Sequence, residues 1–527
     1  MKDYLKIGKA TELEGREYKM YRFFEMLPAI LSIGTLVILV VLSYFKPVWV
    51  AYFLIAFDVY WLLQVIYMAL YLISSYRKVQ QNVHVDFKSK CLALSVDDAS
   101  LPADCLAKQG MKYTDLRQLV ILPTYNEDLE IIRSALNSIF EDGFPTEQMI
   151  IAVAMEERAG AEAHEKAKAI NEEFASKFGR FIITFHPDGI EGEIKGKGAN
   201  QAWCGKQVKD GIIDKENIPY DKILVSVFDI DTIVRPGYFF ALSYKFLTVS
   251  NPYRASYQPV PIYHNNLWSA PFFSRVVSAS NTFWQMMMQI RQEKLVTYSS
   301  HSMTWKALVD IGFWSTKMVS EDSRIFFHCL MYYKGEYRVE PLYIMVSMDI
   351  TTDTSFKKTA ISLYKQQRRW AWGAENVAYL IFNYLKMSKE PGSGRKKIFD
   401  QIWIQIYGFH SWATSALIIA GVGWLPMLLG GDRFNSTVLS GNLPAITSNL
   451  MNLAMIGMIL SAVVSSLLLP KRPKKYSPWK NVAMLVEWVF VPVSIIIFGA
   501  IPCIDAQVRL ALGKYMGFWV TPKERKD

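Results

Sequence analysis

The chain has 527 residues, of which 51% are hydrophobic and 14% aromatic, and it carries a formal net charge of +10. With a mean hydropathy of +0.12, it is too apolar for an ordinary soluble enzyme and too charged for a bundle made only of membrane helices. Because Lys and Arg cluster beside the apolar segments, the charge fits the positive-inside rule, and we expect membrane lipids and no nucleic acid as partners.

Two apolar segments follow a basic N-terminus. Residues 24–45 and 49–74 are each long enough to cross a bilayer as a helix. Basic residues before the first segment and at 76–78 predict that both outer ends lie in the cytosol. We therefore predict a cytosolic N-terminus over 1–23 and two transmembrane helices within 24–75.

The next segment, 76–360, alternates short apolar runs with polar helical stretches. Four runs are predicted to be buried strands, at 118–122, 149–154, 181–185 and 222–229. Such alternation predicts a doubly wound α/β sheet, in which ligands bind at the C-terminal ends of the strands. We predict a cytosolic α/β domain over 76–360.

Three more apolar segments lie near the C-terminus, at 401–430, 446–469 and 480–504. The basic run 471–475 predicts a cytosolic loop, so simple counting places the C-terminus outside. The tail is nevertheless basic. Either 480–504 is re-entrant, or the tail departs from the positive-inside rule.

The C-terminal part is accordingly divided by composition into three regions. We predict an interfacial helix region over 361–400, a transmembrane region over 401–505 and a basic tail over 506–527. Five spans and a more complex arrangement both stay open.

The stretch LPTYNE, residues 122–127, follows the first predicted strand. A proline-bearing loop at a strand end can shape a pocket for a base, with Tyr125 near the ring and Thr124 or Glu127 hydrogen-bonded to it. An ordinary turn capped by Asn126 explains the sequence equally well.

An aspartate pair, Asp229 and Asp231, ends the apolar strand predicted at 222–229. Residues i and i+2 of one strand point the same way, so both carboxylates can reach one cation. Oxygen ligands suit Mg²⁺ or Mn²⁺. A solvated pair is the alternative, but the apolar run before it favours metal binding.

Two further motifs lie on predicted helices. Glu321 and Asp322 follow Ser320, which is a plausible helix N-cap, so the acids could serve the helix dipole or catalysis. In the stretch QQRRW, Arg369 could grip a diphosphate and Trp370 could stack on a sugar. An interfacial helix with these residues at headgroup depth is equally compatible.

In this order the motifs resemble the membrane-integrated family 2 glycosyltransferases, such as cellulose and hyaluronan synthases. The family pattern is PxYNE, DxD, ED and QxxRW between membrane spans, here Pro123/Tyr125/Asn126/Glu127, Asp229/Asp231, Glu321/Asp322 and Gln366/Arg369/Trp370. The resemblance covers nearly the whole chain. It implies an α/β nucleotide-sugar-binding (GT-A-like) domain inserted between transmembrane α-helices.

The resemblance also implies roles for single residues. Those expected at the nucleotide are Thr124, Tyr125, Glu127, Lys195 and Asn200, the last two from a lysine–glycine–asparagine stretch near the donor. Asp229 and Asp231 are expected to hold the diphosphate through Mg²⁺ or Mn²⁺. The ED motif, Glu321 and Asp322, is expected to be catalytic, with Asp322 as general base. Gln366, Arg369 and Trp370 are expected to line the diphosphate and the acceptor terminus.

One position departs from the family pattern. The family has an aspartate pair after the second strand, where an aspartate contacts the base, whereas this chain has AMEER at 154–158. Glu156 or Glu157 is expected to take that role from a slightly shifted position.

The implied reaction is a single inverting displacement, in which Asp322 removes the acceptor proton and a nucleoside diphosphate leaves. The main hypothesis is a processive polysaccharide synthase in the cell membrane, with a cytoplasmic catalytic domain, a nucleotide-sugar donor and secretion through the C-terminal spans. The alternative is transfer of one sugar to a polyprenyl phosphate or glycolipid. A transporter or scaffold with an inactive domain is the hypothesis from a different class.

Overall fold

A computed structural model of the chain describes residues 3–387 and 394–525. The remaining residues belong to three of the predicted regions. Residues 1–2 of the basic N-terminus, 388–393 of the interfacial region and 526–527 of the tail lie outside the described residues.

A mixed sheet of seven strands forms the centre of the described structure. The strands are β1 Arg117–Pro123, β2 Met149–Glu156, β3 Arg180–His186, β4 Ile223–Val227, β5 Ala255–Tyr263, β6 Ser302–Thr304 and β7 Arg338–Met348. Their order across the sheet is β3-β2-β1-β4-β6-β5-β7. All neighbours are parallel except β6, which runs antiparallel to both β4 and β5.

Nineteen α-helices lie in the described ranges. The first ten are α1 Gly15–Phe45, α2 Pro47–Val83, α3 Phe87–Leu92, α4 Leu129–Phe140, α5 Ala161–Phe174, α6 Lys197–Val208, α7 Tyr238–Thr248, α8 Phe272–Ile290, α9 Trp305–Asp310 and α10 Glu321–Tyr332. The others are α11 Phe356–Ala371, α12 Glu375–Lys386, α13 Arg395–Ala420, α14 Leu425–Leu429, α15 Gly431–Asn435, α16 Val438–Leu468, α17 Trp479–Val486, α18 Val491–Ile495 and α19 Ile501–Ala511.

Both faces of the sheet are covered by helices, which explains why its parallel strands are continuous apolar runs. In β2 every residue is buried. Ile150 and Ala152 belong to one hydrophobic cluster, whereas Met149 and Ile151 belong to the other. This alternation follows from the two-residue period of a strand and divides the core between the two faces.

The fold class predicted from the sequence is confirmed. The four predicted strands correspond to β1–β4, and the C-terminal ends of β1 and β4 lie side by side because these strands pair in parallel. The residues that follow them, from Thr124 and from Phe228 onward, are thereby brought to one edge of the sheet. That edge is where a doubly wound sheet binds ligands.

Four helical segments are long and apolar enough to cross a membrane: Gly15–Phe45, Pro47–Val83, Val438–Leu468 and Trp479–Ala511. A fifth arises if Arg395–Ala420 and Val422–Leu429, which meet at a bend of 45°, count as one span. These counts refer to the described ranges only. The segments contain or overlap every apolar run singled out in the sequence.

The segment Trp479–Ala511 begins and ends beside the α/β domain. Just before it, the ring of Tyr476 stacks on Trp268, with centroids 6.0 Å apart. Near its end, Asp505 accepts a hydrogen bond of 2.8 Å from Arg368 of α11. Both ends therefore lie on the same side of the molecule as the sheet. The segment is nevertheless long and apolar enough to cross a membrane.

Candidate active site

One ammonium group joins two of the predicted acidic motifs. The Nζ of Lys197 lies 2.7 Å from Oδ1 of Asp229 and 2.9 Å from Oδ2 of Asp322. Lys197 is the first residue of α6, Asp229 follows β4, and Asp322 lies in the first turn of α10. The fold thus brings three separate elements to a single cation at the C-terminal edge of the sheet.

The charges at this point are partly buried, and each shifts the pKa of its neighbours. Burial opposes the charge on Lys197, but Asp229, Asp322 and Glu321 outweigh it and raise the pKa of the ammonium. Burial alone would raise the pKa of Asp229, yet Lys197 and Lys523 hold it well below its ordinary value. Asp229 is further fixed by the hydroxyl of Ser299, which donates to Oδ2 at 2.6 Å. The aspartate is therefore an ionised, oriented carboxylate.

Asp231 is held by a different set of partners. Its side chain is fully buried and forms an ion pair with the ammonium of Lys523. Its Oδ2 accepts a hydrogen bond of 2.8 Å from the backbone N–H of Asp349. Burial raises the pKa of Asp231, with Asp349 and Asp229 adding to the rise and Lys523 opposing it. The prediction that the pair lies on the strand itself is wrong, because β4 ends at Val227 and both aspartates follow it.

The chain after α19 returns to this edge of the sheet. Thr352 and Lys523 form an isolated parallel bridge, and Thr352 Oγ1 donates to the carbonyl of Glu524 at 2.7 Å. Arg525 forms an ion pair of 3.0 Å with Asp349. These contacts fix the tail across the two aspartates, so the tail is part of the site in this structure.

A close contact further up the tail fixes its path. An added Cβ at Gly196 would lie 2.5 Å from Cγ of Phe518, and Gly196 has a φ of +150°. The guanidinium of Arg369 lies 4.8 Å from the centre of the same ring. Glycine is therefore required at 196 both for its backbone angle and for the approach of Phe518.

A small cavity lies at the ends of β2 and β3, and Arg158 in its wall connects it to the loop after β1. The guanidinium of Arg158 covers the ring of Tyr125 at 4.1 Å and donates to Glu156 at 3.0 Å. Glu156 is buried, and the cavity continues to His186 and Lys195. Among the residues expected at the nucleotide, Tyr125, Glu156 and Lys195 are thus brought to one place, although Lys195 itself pairs with Asp188 at 2.6 Å.

Other residues expected at the nucleotide hold the local backbone. Glu127 accepts hydrogen bonds of 2.8 Å from the hydroxyl of Thr124 and from the backbone N–H of Tyr125. Asn200 is buried and donates to the carbonyl of Ala154 at 2.7 Å. Glu127, rather than Asn126, therefore holds the turn after β1 in the described structure.

Glu157 points away from this cavity. It is exposed and lies 3.0 Å from His164 at the surface. Of the two glutamates expected to replace the family's aspartate, only Glu156 lines the cavity beside Tyr125.

Glu321 is buried beside Asp322. Burial first, and Asp322 second, raise its pKa to about 8, and its Oε2 has no hydrogen-bond partner in the described structure. Ser320 is the N-cap residue of α10, as predicted, but its hydroxyl makes no cap hydrogen bond and instead donates to Glu375 at 2.6 Å. The acids at the start of α10 still lie where the helix dipole favours negative charge.

The residues of the last motif lie on α11. Gln366 accepts a hydrogen bond of 2.8 Å from the hydroxyl of Thr351. Arg369 faces Phe518 of the tail, and Trp370 is half-buried. Arg369 also contributes charge near Glu321, which connects α11 to the start of α10.

The two aspartates after β4 can hold a divalent cation only together with ligands from outside the protein. Within the described ranges, no group of three or more His, Cys, Asp or Glu side chains could hold a metal ion. Mg²⁺ is commonly held by one or two carboxylates together with phosphate oxygens and water. Asp229 and Asp231 supply the carboxylates for such a site, and a bound diphosphate would supply the rest.

Sequence reasoning missed several residues at the centre of the site. Lys197 stands two positions from Lys195 in the same stretch, but only the start of α6 shows which lysine turns inward. The contacts of Lys523, Arg525 and Phe518 link the tail to residues more than a hundred positions away. A lysine in a basic tail gives no local signal of such pairing.

The family follows from a sequence comparison that agrees with this fold. A family model described as glycosyl transferase family group 2 matches residues 224–497, which is just over half of the chain. The chain therefore belongs to this family of glycosyltransferases. No curated protein matches it.

Solved structures show distant similarity. The mannosyltransferase PcManGT from Pyrobaculum calidifontis, in complex with GDP-Man and Mn²⁺, is 14% identical, with 84% of this chain and 99% of that chain covered and a TM-score of 0.38. TarS 1-349 from S. aureus, in complex with UDP-GlcNAc, is 13% identical, with 67% and 91% covered and a TM-score of 0.35. Both TM-scores are low, and neither structure identifies a donor or metal for this chain.

Proposed function

We propose that the protein is a membrane-embedded, processive glycosyltransferase of the cellulose and hyaluronan synthase kind. It transfers a sugar from a nucleotide-sugar donor, a UDP-sugar by resemblance, to a growing glycan with inversion at the anomeric carbon. The observation that carries the proposal is the contact of Lys197 with both Asp229 and Asp322. One cation there joins a carboxylate suited to a diphosphate site and a carboxylate suited to proton transfer.

The residues divide the work of a single displacement. Asp322 accepts the proton of the acceptor hydroxyl, and that oxygen forms a bond to the anomeric carbon as the bond to the nucleoside diphosphate breaks. Lys197 and Arg369 present fixed positive charge where negative charge develops on the leaving diphosphate. Attack and departure on opposite faces give inversion.

Asp229 and Asp231 would hold Mg²⁺ or Mn²⁺, which supplies charge neutralisation for the departing diphosphate when bound. In the described structure Asp231 is paired with Lys523 instead. The tail must therefore release Asp231 before both carboxylates are available to a cation.

We assign the nucleoside to the cavity lined by Glu156 and Arg158, next to Tyr125. Its ring can stack on Tyr125 once Arg158 moves aside, and Glu156 can accept a hydrogen bond from a base N–H. Lys195 lies at the far wall of the same cavity, within reach of the phosphates or ribose.

We propose four crossings of the membrane, by α1, α2, the bent pair α13–α14, and α16. The segment Trp479–Ala511 is then re-entrant, because both of its ends contact the catalytic domain. This arrangement places the N-terminus, the domain, the loop 470–478 and the tail on one side. The basic residues in those parts make that side the cytoplasm.

Some of the proposed membrane helices carry polar side chains, although a helix that contacts only lipid is expected to be apolar. Thr35 of α1 lies 2.9 Å from His410 of α13, and the hydroxyl of Tyr60 of α2 contacts that of Tyr407 of α13. Polar residues within membrane helices generally mark a pathway or a partner. Their presence supports passage of a hydrophilic product, and hence secretion coupled to synthesis.

The proposal is tested by incubating purified protein with a panel of nucleotide sugars and Mg²⁺ or Mn²⁺, and measuring release of nucleoside diphosphate. Release from one donor supports a glycosyltransferase. Absence of release from every donor contradicts it and favours a scaffold with an inactive domain. A single-sugar lipid as product, in place of a polymer, selects the non-processive alternative.

A further inference from the structure

A third region of interest lies on the side of the catalytic domain that meets the membrane helices. An open cavity separates α8 from the end of α16 and the start of the re-entrant segment, with about 600 Å³ of space between atoms when the solvent at its mouth is counted. We call it the α8 cavity. None of the sequence motifs contributes a residue to it.

Polar groups without protein partners converge on this cavity. Ser278, His264, Ser465 and Trp488 all line it, and in the described ranges their side chains make no hydrogen bond to protein. Ser278 is only 7% exposed. Burial lowers the pKa of His264 to about 4, so its imidazole is neutral at pH 7 and can donate and accept. A ligand that removes these groups from water must offer them hydrogen bonds, because an unpaired polar group costs free energy when it is desolvated.

One wall of the cavity is aromatic. The rings of Trp488 and Phe283 stack with centroids 5.5 Å apart and an angle of 23° between them. Aromatic faces beside hydroxyls and an imidazole suit the alternating C–H and O–H groups of a sugar ring.

The cavity has no free charge for a phosphate. Arg275 is its one lining cation in the described ranges, and Arg275 Nε donates to Glu487 at 2.9 Å while another N–H donates to the carbonyl of Ala270. Both side chains of the ion pair are largely buried. The pair therefore neutralises itself and fastens α8 to the re-entrant segment.

The wall nearest the sheet is connected to the candidate active site through the end of β5. Tyr263 and His264 line the cavity at the end of β5, and the next residue, Asn265, donates to the backbone carbonyl of Asp231 at 2.8 Å. Burial raises the pKa of Tyr263, and the charges of nearby Asp229 and Asp231 add to the rise. The end of β5 therefore connects the wall of the cavity to the loop that carries Asp231.

We propose that the α8 cavity is an acceptor subsite that holds one sugar ring of the glycan being extended. The inference rests on the proposed glycosyltransferase function and adds the binding site of the acceptor. A lipid chain is disfavoured as occupant because it would leave Ser278, His264, Ser465 and Trp488 without partners. The sugar ring can belong to a free oligosaccharide or to the head of a glycolipid, since both present the same hydroxyls.

The test compares two phenylalanine substitutions on α8. Ala279→Phe fills the cavity, whereas Val277→Phe places the same ring on the same helix outside the cavity lining. Each purified protein is given its donor with a four-unit oligosaccharide of the donor sugar, or with the octyl glycoside of that sugar. Two rates are measured: transfer of sugar to the probe, and hydrolysis of the donor when no probe is present. The first rate is divided by the second.

We expect this ratio to fall about tenfold or more in Ala279→Phe relative to Val277→Phe. Trp488→Phe, which keeps a ring but removes the indole N–H, is expected to raise the KM of the probe about fivefold with kcat nearly kept. This milder variant keeps the test informative if Ala279→Phe does not fold. Effects with the oligosaccharide identify a glycan acceptor, and effects with the octyl glycoside alone identify a glycolipid head.

The inference is overturned if the protein still turns over the donor but the two phenylalanine variants give equal ratios. An unchanged KM of the probe in Trp488→Phe would overturn it as well. Failure of the proposed function would look different, because the unmodified protein would then release no nucleoside diphosphate from any donor.

Discussion

Lys523 forms an ion pair with Asp231 across 292 positions of sequence. Asp231 is fully buried, and Lys523 is drawn to it by the charges of Asp231, Asp229 and Asp349. The C-terminal tail therefore places an ammonium where the acidic pair would otherwise bind a divalent cation. The availability of Asp231 depends on where the tail lies.

Removing this ammonium should strengthen metal binding. Lys523→Ala leaves the charge of Asp231 without its partner, so the concentration of Mn²⁺ at half-maximal donor turnover should fall about tenfold, as ~1.4 kcal/mol of charge interaction would give. Titration of Mn²⁺ against nucleoside diphosphate release measures it. Lys514→Ala, a change at an exposed lysine of the same tail, is the control. An identical Mn²⁺ dependence in both variants would show that Lys523 does not oppose the metal.

Asp322→Asn should separate binding from chemistry. The amide keeps the shape of the side chain but cannot take the acceptor proton, so kcat should fall about 10²- to 10⁴-fold while the donor still binds. Steady-state turnover and equilibrium binding of the labelled donor give the two quantities. Ser323→Ala, next along α10, is the matched control. Near-normal turnover in Asp322→Asn would remove Asp322 from the role of general base.

Donor binding should weaken above pH 8. Glu321 has its pKa raised to about 8, by burial first and by Asp322 second, so it is mostly neutral at pH 7 and becomes charged as the pH rises. The added negative charge lies close to the diphosphate site, so the donor KM should rise about threefold to tenfold between pH 7 and pH 9.

Glu321→Gln stays neutral and should keep a flat donor KM over the same range. The comparison is made with unmodified protein in matched buffers. The same rise in both proteins would assign the titration to another group. Loss of turnover in Glu321→Gln at pH 7 would instead give Glu321 a direct chemical role.

Gly196→Ala should detach the tail. The new methyl group would collide with Phe518 and would sit on a backbone angle that L-residues rarely adopt, so trypsin should cleave after Lys523 about tenfold faster. Gly517→Ala, a change at a tail glycine with open space around it, is the control. Equal cleavage rates in the two variants would show that the contact between Gly196 and Phe518 does not position the tail.

The strands that could be predicted were those with uninterrupted apolar runs. β1–β4 each follow the simple pattern of a buried parallel strand. β5 contains Pro259 and Pro261, and β7 contains Pro341, so both break the pattern that marks a central strand. β6 has only three residues. These strands form through pairing with the rest of the sheet, which no local window contains.

The site was predictable to a similar extent. Acidic residues placed directly after a strand or at a helix start give local signals, and Asp229, Asp231 and Asp322 were singled out this way. Lys197 depends on where α6 begins, and Lys523 depends on the return of the tail. Arg158 became relevant only when its side chain was seen over Tyr125. The sequence therefore did not predict contacts between distant residues, nor the direction in which a side chain points.

Synthesis of a polymer by the purified protein tests the central claim most directly. Protein in lipid nanodiscs is given a labelled nucleotide sugar with Mn²⁺, and the product is sized by gel filtration before and after digestion with a matching glycosidase. We predict a labelled product of high molecular weight from the unmodified protein and none from Asp322→Asn. A label confined to single-sugar lipid, or a polymer made equally well by Asp322→Asn, would contradict the account.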